Sequence, residues 1–320
     1  MSSSSFGGKS EGDHVAHRDN ITQFLEVLTI DKSECLHVGS DGVCVSDRVV
    51  PAIAAVAGVP QSAVSKSEVV KAAAEVLGCS NETCVVTHPR TQKAAQELKL
   101  ANVLSDELAH RFKPPGPRNS TALLSNVHID NVLKQWAAAE FPDFYACPFA
   151  MADFNTNGDK FAKVKLNQLR QKQYRTFGCV MNTDNSKGPG THWVAVFVDM
   201  RADFTSSEPW TIEYFNSAGR PPATPVVRWM EQTRGELAKM RESECAASDA
   251  AHTEHGPVQT WAVSSVSHQR SQTECGPYAL YYIRRRLEGA APRDFMEASN
   301  KIPDAAMVEF RRHLFRSRQS

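Results

Sequence analysis

The sequence predicts an α+β protein with a central sheet flanked by helices. Two apolar runs of strand length, residues 193–199 and 211–216, are rich in β-branched and aromatic side chains. Several longer segments show helical spacing of apolar residues instead. Residues 113–119 carry three prolines and a glycine, a composition typical of a break between structural units. These observations predict a smaller unit, followed by a larger α+β domain over residues 113–320.

The N-terminal part is predicted to be helical. Residues 1–15 are rich in serine and glycine and are expected to form a disordered lead. Ser65 and Glu68 have capping-box spacing, and the apolar segment after them runs to Leu77, before Gly78. We therefore expect a small helical module over residues 16–112.

The C-terminal part should contain three long helices. The periodicity predicts helices over residues 126–141 and 226–241, with a polar surface loop over 242–257. A third helix covers residues 278–287, before Gly289. Its last turn carries the arginines 284–286, which are expected to form a solvated basic face because cations suit a helix C-terminus.

Composition narrows the choice of partner and compartment. The net charge is zero, which gives no reason to expect nucleic acid or an anionic membrane as a required partner. No apolar run approaches the roughly 20 residues of a membrane span, and the N-terminus lacks the apolar core of a signal peptide. Eight cysteines without a secretory signal favour a reducing compartment.

The first four of the eight cysteines invite a comparison with zinc sites. Cys35, Cys44, Cys79 and Cys84 are spaced too widely for the usual short zinc-ligand loops. We therefore predict no metal and no cofactor, and we expect these residues to be buried or adventitious thiols. The alternative is that Cys79 and Cys84 close a small loop.

Cys275 has the local sequence of a nucleophile. Pro277 suits the first turn of a helix, so Cys275 should lie at the positive end of a helix dipole, which favours the thiolate. Gly276 removes side-chain bulk beside the sulfur and would let a substrate backbone approach.

Three further residues complete a chemical set. His192 begins one predicted strand and can accept the thiol proton, while Asn216 ends the next strand and can orient the imidazole. Gln269, six residues before Cys275, can donate to an oxyanion, although Gln272 is a rival for that role. The order His, Asn, Gln, Cys indicates a thiol protease.

The same residues carry a family resemblance over residues 118–320. His192-Trp193, Asn216-Ser217, Gln269 and Cys275-Gly276 resemble the clan of SUMO and ubiquitin-like-protein proteases and the adenovirus protease. The set is more similar to the polyprotein-processing cysteine proteases of African swine fever virus and other large DNA viruses. Three features support that narrower resemblance. The orienting residue is Asn where Asp is usual, the cysteine lies in the sequence Thr-Glu-Cys-Gly, and the segment 124–130 stands in place of an upstream Trp-Leu-Asn-Asp motif.

The resemblance implies a mixed sheet and a substrate class. It implies cleavage of viral structural polyproteins after Gly-Gly-like sites, in the host cytoplasm at virus assembly sites and in the virion. Trp193 and Gly276 would contact substrate, with Leu123 in the place of a second tunnel tryptophan. The alternatives are a deconjugase for SUMO or another ubiquitin-like protein, a related acetyltransferase, and an inactive binding module.

Overall fold

A computed structural model describes residues 21–30, 33–36, 38–60, 64–246 and 256–316. The predicted disordered lead lies outside these residues. The strands are β1 (Phe144–Ala146), β2 (Ala150–Met151), β3 (Thr176–Asn182), β4 (Trp193–Asp199), β5 (Trp210–Phe215) and β6 (Val258–Val263). The helices are α1 (21–26), α2 (Val50–Ala57), α3 (Lys66–Leu77), α4 (Glu82–Thr87), α5 (Pro89–Glu97), α6 (Ala101–His110), α7 (Asn126–Ala139), α8 (Lys160–Lys163), α9 (Leu166–Gln171), α10 (Thr224–Ala246), α11 (Cys275–Leu287) and α12 (Asp304–Leu314).

The six strands form one sheet, and it is mixed, as the family resemblance implied. The order is β1-β3-β4-β5-β6, and β2 also pairs with β3. The β3–β4 and β4–β5 pairs are antiparallel, whereas β1–β3 and β5–β6 are parallel. Because β4 runs antiparallel to β5, the start of β4 and the end of β5 lie at the same edge of the sheet.

Both faces of the sheet are covered by helices. Successive side chains of a strand point to opposite faces, so an apolar strand contributes to a core on each side. On β4, Ala195 and Phe197 pack in one apolar cluster with α7, α11 and α12. Val194 and Val196 pack in a second cluster with α9 and α10. α11 lies almost wholly inside the first cluster, which fixes its N-terminal end against the sheet.

The N-terminal module has an apolar core of its own, formed by α2 to α6 and the segment before them. The predicted capping box is confirmed: the Ser65 hydroxyl accepts from the Glu68 amide, and Gly78 ends α3 in the left-handed conformation. Residues 21–30 behave differently, since Leu25 and Leu28 are buried in the cluster that contains α11. The boundary between residues 112 and 113 stays a prediction.

The segment 113–119 lies along the seam between the module and α12. Lys113 donates its amide to the carbonyl of Glu34, and Arg118 donates to the carbonyls of Arg312 and Phe315. A Cβ on Gly116 would lie 2.3 Å from the Phe315 ring. Only glycine therefore lets this segment pass so close to the residues that follow α12.

The four N-terminal cysteines are not free thiols, so that expectation was wrong. Cys35 pairs with Cys44 and Cys79 pairs with Cys84 in two disulfides, with Cα–Cα distances of 5.2 and 5.5 Å. The alternative prediction, that Cys79 and Cys84 close a small loop, is confirmed by the second disulfide. The Glu82 carboxylate lies near the first pair but accepts from the Cys44 and Val45 amides.

Two predictions for the C-terminal helices need correction. α10 continues to Ala246 because Arg241 and Cys245 remain buried on its inner side, so residues 242–246 are not loop; residues 247–255 lie outside the described part. The arginines of α11 do not form a solvated face: Arg284 and Arg286 are buried and paired with carboxylates. Among the described residues, no helix is long and apolar enough to cross a membrane.

Candidate active site

The four predicted site residues come from four neighbouring elements. His192 directly precedes β4, Asn216 directly follows β5, Gln269 lies in the loop after β6, and Cys275 begins α11. The antiparallel pairing of β4 and β5 brings the first two together. A cleft of about 600 Å³ is lined by His192, Asn216, Gln269 and the rival Gln272.

The ring of His192 is held by Asn216. His192 Nε2 and Asn216 Oδ1 are 2.9 Å apart. The same Oδ1 accepts from the Ala218 backbone amide at 2.9 Å, which identifies it as the carbonyl oxygen of the side chain. Nε2 must therefore carry the proton and donate it, which leaves Nδ1 of the neutral ring as the acceptor.

Asn216 is itself fixed by a residue that the sequence analysis did not assign. Its Nδ2 donates to the hydroxyl of Tyr214 at 2.9 Å, and both side chains are buried. Tyr214 is two residues earlier on β5, so the two-residue period of a strand places it on the same side as Asn216. The two-residue strand period was the sequence signal that could have identified Tyr214 as a neighbour of Asn216.

The thiol of Cys275 is buried, with the residue only 2% exposed. Burial raises the pKa of Cys275, and the backbone amides of Trp193 and Gly276 lower it by less. The net direction is opposite to the thiolate that the helix dipole alone predicted. Cys275 begins the helix, as expected. The desolvation of its sulfur inside an apolar cluster raises the pKa by more than the nearby backbone amides lower it.

His192 is shifted toward its neutral form as well. Burial lowers the pKa of His192, and nearby Arg220 lowers it further, while the hydrogen bond to Asn216 raises it. With the pKa of the thiol raised and the pKa of the imidazole lowered, both groups rest in their neutral forms. Such a pair can form the thiolate by proton transfer to Nδ1 as the sulfur attacks.

Gln269 is held in place by polar contacts at both ends of its amide. Its Oε1 accepts from the Ser217 hydroxyl at 2.7 Å, and its Nε2 donates to the Ser271 carbonyl at 2.7 Å. Nε2 has a second hydrogen, so one donor remains for a substrate oxygen. Ser217, which follows Asn216, thus ties the predicted oxyanion donor to the predicted orienter.

Trp193 links the nucleophile to the segment before α7. Its backbone amide lowers the pKa of the Cys275 thiol, and its indole Nε1 donates to the Leu124 carbonyl at 3.0 Å. A Cβ on Gly276 would lie 3.0–3.1 Å from atoms of Leu124. Leu124, rather than Leu123, therefore packs beside the helix start; Leu123 is 61% exposed.

A buried ion pair holds the residue before the nucleophile. Arg311 of α12 donates through Nε to Glu274 Oε2 at 2.8 Å and through Nη2 to Oε1 at 3.1 Å. Its Nη1 donates to the Ala122 carbonyl at 2.7 Å. One guanidinium thus positions both the start of α11 and the segment that carries Leu124. No local sequence pattern links residues this far apart.

Known proteins resemble this chain in sequence and in fold. The profile described as "Ulp1 protease family, C-terminal catalytic domain" matches residues 160–319. The chain is 42% identical over 306 residues to a cysteine protease of African swine fever virus (isolate Tick/Malawi/Lil 20-1/1983), covering 91% of this chain and 98% of the relative. The same identity and coverage hold for a protein named as a SUMO-1 cysteine protease in the isolate Pig/Kenya/KEN-50/1950 of the same virus.

A solved structure extends the similarity to the whole fold. A crystal structure of the African swine fever virus protease superposes with a TM-score of 0.75 at 39% identity. The alignment covers 92% of this chain and 99% of the viral protease, so it includes the N-terminal module. The chain belongs to the Ulp1 protease family and is a cysteine protease.

Proposed function

We propose that this protein is an endopeptidase that cleaves viral structural polyproteins after Gly-Gly-like sites during virion maturation. In this proposal Cys275 is the nucleophile, His192 the base, Asn216 its orienter and Gln269 an oxyanion donor. One observation carries the assignment: the His192–Asn216 hydrogen bond uses Nε2–H and leaves Nδ1 as the acceptor. The backbone amide of Trp193, the next residue, lowers the pKa of the Cys275 thiol.

The proposed reaction has two stages. The Cys275 proton moves to Nδ1 of His192 as the sulfur bonds to the scissile carbonyl carbon, and the developing oxyanion accepts from Gln269 Nε2–H. The C–N bond then breaks, and the leaving amine takes the proton from Nδ1. Water, with its proton accepted by Nδ1, attacks the thioester and releases the acid product and the thiol.

The preference for glycine is supported by crowding next to the nucleophile. Leu124 packs against Gly276, and the Trp193 indole is anchored to Leu124. A narrow approach of this kind favours residues without side chains. The 42% identity to the African swine fever virus protease, over almost its whole length, supports a viral protein as substrate. We accordingly propose action at virus assembly sites in the host cytoplasm and in the virion.

The second candidate is a processing protease for SUMO or another ubiquitin-like protein. It is favoured by the name of one relative, which is called a SUMO-1 cysteine protease. The two candidates separate when the protein is incubated with a viral structural polyprotein and with a SUMO precursor, and product masses are measured. We expect cleavage of the polyprotein after Gly-Gly and none by Cys275→Ala. Cleavage of the SUMO precursor alone would favour the second candidate.

We propose that the N-terminal module extends the surface that selects polyprotein sites. Remote binding energy of this kind improves the positioning of a long substrate. The module cannot be tested by removing residues 1–112, because Leu25 and Leu28 belong to the core around α11, and Tyr281 donates to the Phe24 carbonyl. A better experiment uses a variant that destabilises the N-terminal module and leaves residues 21–30 in place.

The double variant Cys79→Ser and Cys84→Ser provides that design. It removes a short cross-link far in sequence from the site residues, at a cost of roughly 2 kcal/mol to the module. We expect slower cleavage of intact polyprotein with unchanged cleavage of a short Gly-Gly peptide. Equal effects on both substrates would remove the selective role.

A further inference from the structure

Arg170 is a buried cation whose guanidinium lacks acceptors. It is 6% exposed, and its Nε and Nη1 have no hydrogen-bond partner in the described part of the chain. Its guanidinium lies over the rings of Phe204 and Trp210, at 4.8 and 5.4 Å from their centroids. Ring faces attract a cation but do not satisfy its N–H groups, so this charge lacks the anion that buried charges normally have.

Arg241 is a second buried arginine at the same place, with one buried nitrogen, Nη1, that lacks a partner among the described residues but with acceptors for the others. Its guanidinium also lies over Trp210, 5.0 Å from the ring centroid. Its Nη2 donates to the carbonyls of Asp203, Ser206 and Glu208 at 2.6–3.1 Å. The loop between β4 and β5, all of which the structure describes, therefore supplies acceptors to Arg241 and none to Arg170.

Arg170 lines a cavity of about 650 Å³ between α9 and α10, a size that suits a small ligand. The charged residues around it comprise four cations and two carboxylates: Lys165, Arg170, Arg175, Lys239, Glu236 and Glu244. The excess of positive charge matches a dianionic group. Amide and hydroxyl side chains, including Gln171 and Ser243, complete the wall.

The cavity is remote from the candidate active site. Arg175 precedes β3, and Phe204 follows β4, whereas His192 precedes β4 at its opposite end. Seven residues of extended strand separate the two ends by roughly 20 Å. A ligand in this cavity would leave the cleft lined by His192 and Gln269 open.

We propose that the cavity binds a small phosphate-bearing ligand, with Arg170 donating to the phosphate oxygens from Nη2, the guanidinium nitrogen that is not among the shielded, unpartnered atoms. Arginine presents a planar fork that matches phosphate and is stacked here in a fixed orientation by two rings. Lys165, Arg175 and Lys239 supply the remaining charge. The site lies outside the cysteine protease centre and adds a binding activity to the fold.

The test uses inorganic phosphate as the probe, with the full chain at constant ionic strength. Titration calorimetry and the phosphate-dependent rise of the unfolding temperature should both show binding to the wild type. Arg170→Met keeps an unbranched side chain against Phe204 and Trp210, and we expect it to fold because it leaves no described acceptor without its donor. It should bind phosphate about 10- to 100-fold more weakly, the loss of a charge-assisted contact.

Lys172→Met is the matched control, because Lys172 is exposed, carries the same charge and lies two residues from Arg170. It should bind phosphate like the wild type. If Arg170→Met fails to fold, Lys165→Met with Lys239→Met provides the second variant and should also weaken binding. The absence of binding to the wild type, or equal weakening by Arg170→Met and Lys172→Met, would overturn the proposal. Binding of an acidic peptide but not of phosphate would overturn the ligand class.

Discussion

The two ends of α11 differ in the ionisation of the polar groups buried there. At its N-terminal end, burial shifts the pKa of Cys275 toward the neutral form, as it does for His192 just before β4. At its C-terminal end, Arg286 is ion-paired with Glu213, with Nε and Nη2 both 2.7 Å from the carboxylate oxygens. Glu213 also accepts from the Tyr282 hydroxyl at 2.6 Å.

The difference separates anchoring from reactivity along one helix. At the ionised end the charges face each other across short hydrogen bonds, so this end fixes the position of the helix on the sheet. The neutral end keeps an acceptor on His192 and a thiol that becomes charged only during reaction. A helix that was ionised at both ends would hold its cysteine as a stable thiolate before substrate arrived. Five predictions test this contrast.

The largest effect should come from the neutral end. Cys275→Ala and His192→Ala should each reduce peptide turnover on the order of 10⁶-fold, because nucleophile and base act as one unit. Neither change should lower the free energy of unfolding by much. Cys147→Ala is the control, since that cysteine is free and buried but has no base beside it in the sequence pattern. Activity that survives in Cys275→Ala and disappears in Cys147→Ala would contradict the assignment.

At the ionised end the expected effect is on stability. Glu213→Gln leaves the Arg286 charge buried without its closest counter-ion, and we expect a loss of roughly 3–5 kcal/mol in the free energy of unfolding, measured with urea. Glu309→Gln is the control, because the Arg312–Glu309 pair lies at the surface and should contribute about 1 kcal/mol or less. Similar losses in both variants would show that the buried pair has no anchoring role.

Gln269→Ala should lower kcat by about 10²- to 10³-fold with little change in KM, since an oxyanion donor acts in the transition state. Gln272 lines the same cleft, so Gln272→Ala serves as the control, with turnover near that of the wild type. Reversed effects of the two glutamines would assign the donor to Gln272.

Asn216→Ala should be impaired less, by under about 10²-fold in kcat, because Asn216 orients the imidazole without exchanging a proton. Asn216→Asp should remain active, since an aspartate oxygen can accept from His192 Nε2–H in the same way. Complete loss in both variants would indicate that Asn216 instead holds the turn after β5, through its bond to the Ala218 amide.

The smallest effect concerns the resting ionisation of the thiol. Because the pKa of Cys275 is raised and that of His192 is lowered, the alkylation rate with iodoacetamide should keep rising with pH up to the ordinary thiol value of 9.0 and beyond. The acid limb of activity should lie below the ordinary His value of 6.5. Labelling that is already constant around neutral pH would show a preformed thiolate–imidazolium pair.

The candidate site could be predicted from the sequence because its parts have local signatures. His192 and Asn216 stand at the ends of predicted strands, and Cys275 stands at a predicted helix start, which the structure confirms. The structure brings these residues and Gln269 together, while their catalytic roles stay predictions. The contact between Tyr214 and Asn216 could have been predicted in the same way, because their spacing follows the strand period.

The sequence by itself determined the two central strands, the capping box of α3, the main C-terminal helices, the family resemblance that implies a mixed sheet, and the candidate reactive residues. All of these depend on short-range patterns of polarity, caps and spacing. Tertiary structure decided the rest: the pKa direction of Cys275, the burial of Arg284 and Arg286, the packing of Leu124 near Gly276, and the two disulfides. The physical reason is that desolvation and ion pairing depend on which distant groups surround a residue, as Arg311 and Glu274 show, and local sequence carries no record of those neighbours.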